Sequence, residues 1–390
     1  MKQLICVMLA LFLLTGCASP AANTDTHATA TETSTVATVE TTQEPTVPET
    51  TEPTFPLDPL ELCLQEMTLE QKVGQLFLAR HPATGGMEDV ITYHLGGYIF
   101  FAEDFANKYP DDVYWTMIDY QAVSNIPMLL AVDEEGGTVN RISRNPNLRE
   151  TPFLSPRTLY SQGGLDAVLQ IEEEKCTLLQ YLGLNVNMAP VCDITTDPGA
   201  FMYKRSLGQS PEITGEYIRS TVELMSQYGI GSVLKHFPGY GNNTDTHTGI
   251  AVDHRTLEEL EHVDLVPFAA GIDAGCGAIL VSHTIVEALD SQLPATLSPA
   301  AHDYLRNELG FQGVIVTDDL AMQAITDTYG AGEAAVLAVQ AGNDLLCSTE
   351  YQIQYQAVLE AVQNGRISEE QLNEAVLRIL RWKTNLGLVW

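Results

Sequence analysis

Eight short runs rich in Val, Ile and Leu recur between residues 74 and 347, and amphipathic helical stretches separate them. Apolar runs of this length, bounded by glycine or polar residues, are typical of parallel strands that are buried on both faces. In order, the runs are Gly74–Leu78, Gly97–Phe101, Met128–Val132, Asn185–Ala189, Ser232–Leu234, Ala278–Val281, Val314–Thr317 and Asp344–Cys347. Eight strands that alternate with helices over roughly 330 residues have the size and pattern of a (β/α)8 barrel.

A doubly wound open sheet is the competing arrangement of alternating strands and helices. Such a sheet usually begins with a GxGxxG turn after its first strand, and no such motif follows any of the eight runs. Clear start signals mark the helices, since Thr256–Glu259 and Ser368–Gln371 read as capping boxes and Pro211 opens a helix that ends at Gly229. The sequence therefore favours an α/β fold with a single (β/α)8 TIM-type barrel.

The first 17 residues have the features of an export signal. They begin with Lys2, continue as a short apolar run and end at Leu14-Thr15-Gly16-Cys17. The run is too short to span a bilayer comfortably, which favours a signal peptide. The final tetrad resembles a bacterial lipobox, in which Cys17 is lipidated and becomes the mature N-terminus; an ordinary secretory signal is the alternative. The sequence thus predicts an exported protein, lipid-anchored at the extracytoplasmic face of the cell membrane.

Residues 18–56 consist mainly of Thr, Glu, Ala and Pro, with almost no large apolar side chain. Such a segment cannot bury enough surface to offset the entropy of the chain, so the sequence predicts a disordered tether. Residues 57–390 then form the barrel and carry the function. Contact with the membrane is expected through the anchor only, and the protein is expected to be a monomer.

Charge and cysteine content exclude several kinds of partner. The 51 acidic and 19 basic residues give a net charge of −32, which argues against nucleic acid or an acidic polymer held by charge. The cysteines beyond the signal show no CxxC or Cys/His metal spacing, so the sequence implies buried thiols, no metal and no cofactor. These cysteines are Cys63, Cys176, Cys192, Cys276 and Cys347.

Ionisable residues follow four of the predicted strands at their carboxyl ends. They are found in Asp133–Gly137, Lys235-His236, Ser282-His283 and Asp318-Asp319. In (β/α)8 barrels the working residues lie at this end of the strands. Four such ends that converge on one mouth indicate a functional site.

Asp318 follows the apolar run Gly313–Thr317, so a rigid strand delivers a carboxylate to the rim of the barrel. A nucleophile needs such a fixed position, and a helix cap is the structural alternative. Strand alternation predicts that Asp319 points the other way and caps the following helix.

Asp245 and His247 lie two residues apart in the glycine-rich loop after Lys235-His236. In an extended segment the two side chains can face the same way, so the carboxylate can accept a hydrogen bond from one ring nitrogen. The other nitrogen is then left for proton transfer. An Asp-x-His sequence is common by chance, but its place beside a strand end predicts an acid/base pair.

Lys235 and Arg141 are cations at the predicted mouth, and Asp133 is a carboxylate beside them. Fixed charges of this kind often hold the polar groups of a ligand. They also form ion-pair networks that brace the top of a barrel, and the two roles are compatible.

Six segments of the chain carry a family resemblance. They are Met67–Leu76, Asp133–Gly137 with Arg141, Asn185–Val191, Lys235–Gly239, Pro294–Ser298 and Gly313–Leu320. Together they resemble the motifs of glycoside hydrolase family 3, and the similarity covers essentially all of residues 60–390.

The resemblance implies a (β/α)8 barrel and a two-step retaining mechanism with an Asp nucleophile, here Asp318. The β-N-acetylglucosaminidase branch of the family uses an Asp-His pair after strand five as acid/base, which matches Asp245 and His247. That branch releases N-acetylglucosamine from the ends of oligosaccharides such as peptidoglycan fragments. Its sugar-binding positions match Asp133, Arg141, Arg205, Lys235 and His236.

The chain departs from this branch at several positions. Thr138 stands where the branch commonly has Arg, Tyr240 replaces a usual His, and Thr246 replaces Ser in the Asp-Ser-His motif. The loop Gly241–His247 is also one residue shorter than the usual pattern. These departures concern loop geometry and substrate choice rather than the class of reaction. The glucosidase branch takes its acid from a second domain and is expected to fit poorly, because Trp390 follows soon after the last predicted helix.

Two other functions are alternatives to hydrolysis. A histidine is neutral when it acts as a base, so it does not repel an anionic acceptor. Phosphate in place of water would give a β-N-acetylglucosaminide phosphorylase. A non-catalytic sugar-binding lipoprotein would keep Asp133 and Arg141, but it would need neither Asp318 nor the Asp-His pair.

A metal-dependent hydrolase on the same barrel is a further alternative. Its ligands would come from His236, His247, His254 and His283. That class expects a His-x-His pair at the end of the first strand, where this chain has Arg80-His81-Pro82, so the sequence disfavours it.

Overall fold

Parallel strands form the centre of the fold in the computed structural model, which describes residues 58–243 and 249–388. The strands are β1 Phe77–Arg80, β2 Gly97–Phe100, β3 Leu129–Val132, β4 Val186–Asn187, β5 Gly231–Phe237, β6 Val252–Asp253, β7 Ala278–Val281, β8 Ile285–Val286, β9 Val314–Thr317 and β10 Leu346–Ser348. β6 and β8 form a separate pair, and the other eight make one sheet in the order β10-β1-β2-β3-β4-β5-β7-β9. The predicted signal peptide, Cys17 and the tether lie outside the described residues.

The eight-stranded sheet closes on itself between its two outer strands. Val316 of β9 and Leu345, just before β10, form a parallel bridge. The backbone N–H of Leu345 donates to the carbonyl of Ile315 at 3.0 Å, and the carbonyl of Leu345 accepts from Thr317 at 3.1 Å. A ring of eight parallel strands with helices outside it is a (β/α)8 barrel, so the predicted fold is confirmed.

Fourteen α-helices are found among the described residues, and most of them surround the ring. They are α1 Pro59–Glu66, α2 Leu69–Gln75, α3 Gly86–Tyr93, α4 Ala102–Phe105, α5 Pro110–Val123, α6 Pro156–Tyr181, α7 Pro211–Gln227, α8 Leu257–His262, α9 Leu265–Asp273, α10 Pro299–Asp303, α11 Gln323–Thr326, α12 Ala331–Ala341, α13 Tyr351–Gln363 and α14 Glu369–Asn385. Within residues 58–243 and 249–388, none has the length and apolar character needed to cross a membrane.

The predicted helix starts are largely confirmed. α7 begins at Pro211, and Thr256 forms the expected capping box with Glu259. Ser368 caps α14 by accepting from the backbone of Gln371, but the Gln371 side chain does not complete the box. The Gln371 amide instead donates to the carbonyl of Val339 at 2.7 Å. A contact with α12 therefore replaces the local contact with the Ser368 backbone.

The first predicted strand, Gly74–Leu78, was placed too early. A capping box at Thr68 starts α2, which runs through Gln75, and β1 follows at Phe77–Arg80. Gly74 lies in this helix, and glycine is required there because the backbone of Tyr93 leaves no space for a side chain. A Cβ at residue 74 would lie 2.1 Å from the carbonyl oxygen of Tyr93. The glycine marks a close helix packing and not the start of a strand.

β5 is longer than the predicted Ser232–Leu234 and ends at Phe237. Lys235 and His236 therefore lie in the strand, and the pairing of β5 with β7 shifts register between Leu234 and Phe237. The strand itself delivers these two polar side chains to the mouth of the barrel.

Apolar side chains fill the interior of the barrel, and α14 closes its amino-terminal end. Leu78, Val186 and Val314 belong to this interior cluster together with Trp382 of α14. The Trp382 indole lies against the start of β7, where a Cβ on Gly277 would be 2.0 Å from its Nε1. Any side chain at residue 277 would therefore displace the indole.

The cysteines are mostly buried, as predicted. Cys176, Cys192, Cys276 and Cys347 are buried and Cys63 is partly buried. Burial raises the pKa of the Cys276 thiol, so this thiol stays protonated and behaves as a small apolar group.

Lys383 of α14 is fully buried, and its Nζ donates to Oε1 of Gln75 at 2.7 Å. Burial lowers the pKa of Lys383 from 10.5 to about 7, because the charged form loses its hydration. The unfolded chain therefore binds a proton that the folded chain has released at every pH between these values.

We expect this proton uptake to make the free energy of unfolding rise with pH above pH 7. Between pH 7 and pH 9 the wild type should gain about 2 kcal/mol relative to the Lys383→Met variant, which lacks the titrating group. Urea unfolding at pH 7, 8 and 9 measures the difference, with exposed Lys108→Met as the control. Parallel pH profiles for wild type and Lys383→Met would contradict the assignment.

Candidate active site

A cavity of about 860 Å³ opens where the barrel strands end. All eight strands of the barrel contribute to its walls, mostly through residues at or just after their carboxyl ends. Among the lining residues are Arg80, Phe101, Asp133, Arg141, Met188, Arg205, Lys235, His236, Tyr240, Asp318, Asp319 and Thr349. This is the face on which (β/α)8 barrels carry their active sites.

The structure brings together six of the eight residues predicted for the reaction. The carboxylate-bearing Asp318 shares the cavity with the five predicted ligand-binding side chains, Asp133, Arg141, Arg205, Lys235 and His236. The remaining pair, Asp245 and His247, lies outside the described residues.

Lys235 connects two carboxylates at the base of the cavity. Its Nζ is 2.7 Å from Asp133 Oδ1 and 2.6 Å from Glu135 Oε1. Although burial lowers the pKa of Lys235, the charges of Asp133 and Glu135 outweigh burial and raise it. The lysine is therefore a permanent cation at neutral pH, with its ammonium group in a fixed position.

Glu135 forms a bidentate pair with Arg205, with Nε to Oε2 at 2.9 Å and Nη2 to Oε1 at 2.7 Å. Burial would raise the pKa of Glu135, but Arg205 and Lys235 together hold it well below its usual range. Since the Glu135 carboxylate is ionised and both of its oxygens bind Arg205 or Lys235, its role is to orient these two cations.

His236 is held between a guanidinium and a carboxylate. Arg205 Nη2 donates to His236 Nε2 at 3.1 Å. Because this nitrogen accepts, the ring proton lies on Nδ1, which donates to Asp193 Oδ2 at 2.7 Å. Asp193 also accepts from the backbone of His236 and, at 2.7 Å, from the backbone of Tyr240. The buried Asp193 thus fixes both the imidazole and the start of the loop after β5.

Glu134 positions the segment that carries Arg141. Its carboxylate accepts from the backbone N–H groups of Arg141 at 2.8 Å and Ile142 at 2.7 Å, and from the Ser143 hydroxyl at 2.5 Å. Glu134 is fully buried, so it is a structural anchor. Arg141 itself reaches Asp133 Oδ2 at 3.8 Å.

Asp318 comes directly after β9 and is half-buried at the cavity wall. Its Oδ1 accepts from the backbone N–H of Asp319 at 2.9 Å. Asp319 also lines the cavity, contrary to the expectation from strand alternation, because β9 has ended at Thr317. Its carboxylate accepts from Ala321 N–H at 2.9 Å and from the Thr349 hydroxyl at 2.5 Å. Asp319 therefore braces the rim beside Asp318.

The expectation that His283 contributes to the mouth was wrong. His283 is fully buried and is not among the residues that line the cavity. Its Nδ1 is 2.8 Å from the Thr296 hydroxyl, and its Nε2 donates to the carbonyl of Asp319 at 3.0 Å. His283 therefore supports the rim from below, whereas Leu280 of β7 lines the cavity.

Of the four histidines named for a metal-dependent hydrolase, His247 lies outside the described residues, and the other three lie in different places. His236 lies in the cavity, His283 lies beneath its rim, and exposed His254 pairs with Glu287 at 2.8 Å. Among residues 58–243 and 249–388, no three His, Cys, Asp or Glu side chains are arranged to hold a metal ion.

Sequence reasoning missed Asp193 and the orienting role of Glu135. Glu135 belongs to the Asp133–Gly137 segment, so the sequence predicted its place at the mouth. The sequence did not predict its contacts with Arg205 and Lys235. Asp193 lies in the segment after β4, and no local pattern marks it. Its importance comes from contacts with residues more than 40 positions away.

Two cations flank an aromatic ring at the outer edge of the cavity. The guanidinium carbons of Arg80 and Arg141 are 4.2 Å and 5.4 Å from the centre of the Phe101 ring. Such contacts hold a guanidinium in one orientation. Thr138, which stands where the resemblance led us to expect Arg, also lines the cavity and is exposed.

Comparisons with known proteins agree with this architecture. Residues 68–382 match the sequence model of the glycosyl hydrolase family 3 N-terminal domain. Beta-hexosaminidase A of Pseudoalteromonas piscicida is 32% identical over 328 residues, which cover 77% of this chain. The chain spans only 55% of the length of that protein. A beta-hexosaminidase of Stenotrophomonas maltophilia is 33% identical over 75% of this chain and 86% of its own length.

Solved structures of similar fold carry related descriptions. A family 3 beta-N-acetylglucosaminidase from Paenibacillus has a TM-score of 0.78 and 34% identity, and the match covers 83% of this chain and 63% of the other. A beta-N-acetylhexosaminidase from Beutenbergia cavernae has a TM-score of 0.74 and 27% identity, with 82% and 99% covered. Since the family domain accounts for most of the chain, this protein belongs to glycosyl hydrolase family 3.

Proposed function

We propose that the chain is a retaining, exo-acting β-N-acetylglucosaminidase that releases N-acetylglucosamine from glycans such as peptidoglycan fragments. The observation that carries the proposal is one cavity that Asp318 lines together with all five predicted sugar-binding residues. Relatives named beta-hexosaminidase, which match along three quarters of the chain, support the choice of substrate.

Apolar side chains of the barrel interior form the floor of the cavity. Ile99, Met188 and Leu280 form part of its lining and also belong to the apolar interior of the barrel. The cavity therefore ends against packed core and has no exit below. A sugar that enters through the mouth would therefore rest on this apolar floor.

In the first step Asp318 attacks the anomeric carbon and forms a bond to it through a carboxylate oxygen. The glycosidic bond breaks, and the leaving oxygen takes a proton from His247, which Asp245 orients. Water then attacks the glycosyl-enzyme, His247 takes its proton, and the bond to Asp318 breaks. Two inversions at the same carbon give net retention.

The charged residues hold the sugar against Asp318. Asp133 accepts hydrogen bonds from hydroxyl groups, while Lys235 and Arg205 donate them. Because Glu135 holds Lys235 and Arg205 in place before the sugar arrives, little order has to be created when it binds.

A comparison of two nitrophenyl glycosides tests the proposal. The protein should cleave the β-N-acetylglucosaminide much faster than the β-glucoside, and the first sugar released should be the β-anomer by NMR. The product should be free N-acetylglucosamine with or without phosphate in the buffer. Sugar 1-phosphate as the product would make the protein a phosphorylase, and cleavage of neither glycoside would leave a sugar-binding role.

We also propose that Cys17 anchors the protein in the outer face of the cell membrane, with residues 18–56 as a tether. The lipobox-like Leu14-Thr15-Gly16-Cys17 supports this location. Detergent phase partitioning should place the mature protein in the detergent phase, because an acyl chain on Cys17 adds about 0.8 kcal/mol of membrane affinity per buried CH₂. Cys17→Ser should abolish this partitioning, and a wild-type protein with no lipid on its N-terminus would contradict the anchor.

A further inference from the structure

A buried ion pair in α6 lies directly behind the chain segment that follows β3. Lys175 Nζ and Glu172 Oε2 are 2.7 Å apart, and each side chain is only 3% exposed. Oε1 of Glu172 is also buried, and it has no hydrogen-bond partner within residues 58–243 and 249–388. The burial of two charges costs free energy that their mutual attraction often does not recover. A gain in stability is therefore a weak explanation for this pair.

The ammonium group of Lys175 also contacts the active-site segment. Besides Glu172, it donates to the backbone carbonyl of Glu135 at 3.0 Å, and it lies 5.9 Å from the centre of the Phe153 ring. Phe153 supports the chain that follows Glu135, because the N–H of Gly137 donates to the Phe153 carbonyl at 2.8 Å. Lys175 thus contacts both the backbone of Glu135 and the segment that supports it.

The backbone of the preceding residue, Glu134, is held by the side-chain amide of Asn187. Asn187 is fully buried in β4. Its Oδ1 accepts from the N–H of Glu134 at 3.0 Å, and its Nδ2 donates to the carbonyl of Glu134 at 3.2 Å. β3 has already ended at Val132, so these side-chain bonds take the place of strand pairing. With Lys175 on the next carbonyl, the backbone of two successive residues is fixed.

The side chain of Glu135 connects this fixed backbone with the cavity. Its carboxylate oxygens bind Arg205 at 2.7 Å and 2.9 Å and Lys235 at 2.6 Å. Both cations line the cavity. A shift of the Glu135 backbone would move its carboxylate and, with it, the guanidinium and ammonium groups that meet the sugar. Two direct contacts therefore join Lys175 to these groups, one at the Glu135 carbonyl and one at its carboxylate.

We propose that Lys175 is a positioning residue for the sugar-binding cations of this enzyme. It acts through Glu135, whose backbone it holds, and Glu172 supplies the opposite charge that keeps its ammonium group in a buried place. The inference rests on the proposed function, because it takes Arg205 and Lys235 as groups that bind the sugar. Groups that are held in place before binding lose less freedom when the sugar arrives, so loss of Lys175 should weaken sugar binding.

The first test is the affinity of the Lys175→Met variant for N-acetylglucosamine, measured by isothermal titration calorimetry. The dissociation constant should rise by about 10-fold, the effect of one hydrogen bond to a charged group. KM should rise by a similar factor for nitrophenyl β-N-acetylglucosaminide and for N,N′-diacetylchitobiose, whose leaving sugar needs a proton. For both substrates kcat should stay near the wild-type value, because sugar binding is weakened equally before and during the reaction.

Two further variants separate positioning from a loss of stability. Glu172→Gln keeps the Lys175 donor but removes its charged partner, so it should lower the melting temperature and leave the dissociation constant near the wild-type value. The double variant Glu172→Met/Lys175→Met should regain the wild-type melting temperature or exceed it, because apolar side chains of similar volume replace a buried ion pair. Its dissociation constant should still be raised about 10-fold. Affinity should thus follow Lys175 and not stability.

Lys383→Met is the matched control, because it makes the same substitution at a second buried lysine, in α14 at the amino-terminal end of the barrel. The dissociation constant and both KM values should remain at the wild-type level. An equal loss of affinity in Lys383→Met and Lys175→Met would show that affinity depends on stability, and the positioning role would then be wrong.

Recovery of sugar affinity in the double variant, together with the melting temperature, would also overturn the positioning role. So would wild-type affinity in Lys175→Met. Failure of the proposed function would give a different result, since the wild-type protein itself would then neither bind N-acetylglucosamine nor cleave either substrate.

Discussion

The Asp318→Ala variant should lose turnover by on the order of 10⁴-fold or more on every glycoside that the wild type cleaves. Asp318 makes the covalent bond of the first step, so neither a better leaving group nor a higher substrate concentration replaces it. The side chain faces an open cavity at the end of β9 and not the apolar core. The melting temperature should therefore stay close to that of the wild type.

The measurement is kcat/KM on the nitrophenyl substrate, together with thermal unfolding followed by circular dichroism. Asp273→Ala is a suitable control, because its exposed carboxylate at the end of α9 pairs with Arg219 at 3.2 Å on the outside of the barrel. That variant should keep full activity. Substantial turnover in Asp318→Ala would show that another group attacks the sugar.

Replacement of His247 by Ala should have the second largest effect, and it should depend on the substrate. Loss of the proton donor should slow cleavage of chitobiose by about 10²–10⁴-fold. With a nitrophenyl leaving group the first step needs little protonation, so the glycosyl-enzyme should form and then accumulate. Mass spectrometry of the protein during turnover should detect the added sugar.

Asp245→Asn should act in the same direction as His247→Ala but more mildly, because the imidazole remains while its orientation and basicity change. If His247→Ala instead slows both substrates equally, the histidine is a substrate contact. Glu134 and Glu135 are poor substitutes for it, since their carboxylates are already engaged by backbone N–H groups and by two cations.

Much of the fold was predictable because apolar runs and helix start signals are local features. The eight strands and the order of the elements follow from them. The boundaries that failed depend on contacts with distant residues. Gly74 reads as a strand start in sequence, but it is a helical glycine that packs against the carbonyl of Tyr93. β5 continues through Lys235 and His236 because their side chains find partners across the barrel mouth.

The site was predictable where a strand end carries its own signal, as at Asp133, Lys235 and Asp318. The side chains that hold the site in place were harder to find. Asp193 acts through partners that are distant in sequence, and it leaves no pattern in the chain. The prediction for His283 failed for the opposite reason. His283 follows a strand end, as the site residues do, but its side chain is buried beneath the rim.

Trapping of the covalent intermediate tests the central claim most directly. A 5-fluoro glycosyl fluoride of N-acetylglucosamine should inactivate the wild type, because the 5-fluorine slows both steps while the good fluoride leaving group keeps formation of the glycosyl-enzyme fast. Digestion and peptide sequencing by mass spectrometry should then place the sugar on Asp318, in the peptide that contains Val314–Leu320. A label on Asp319 or Glu135, or turnover of the inhibitor with inversion at the anomeric carbon, would contradict the account.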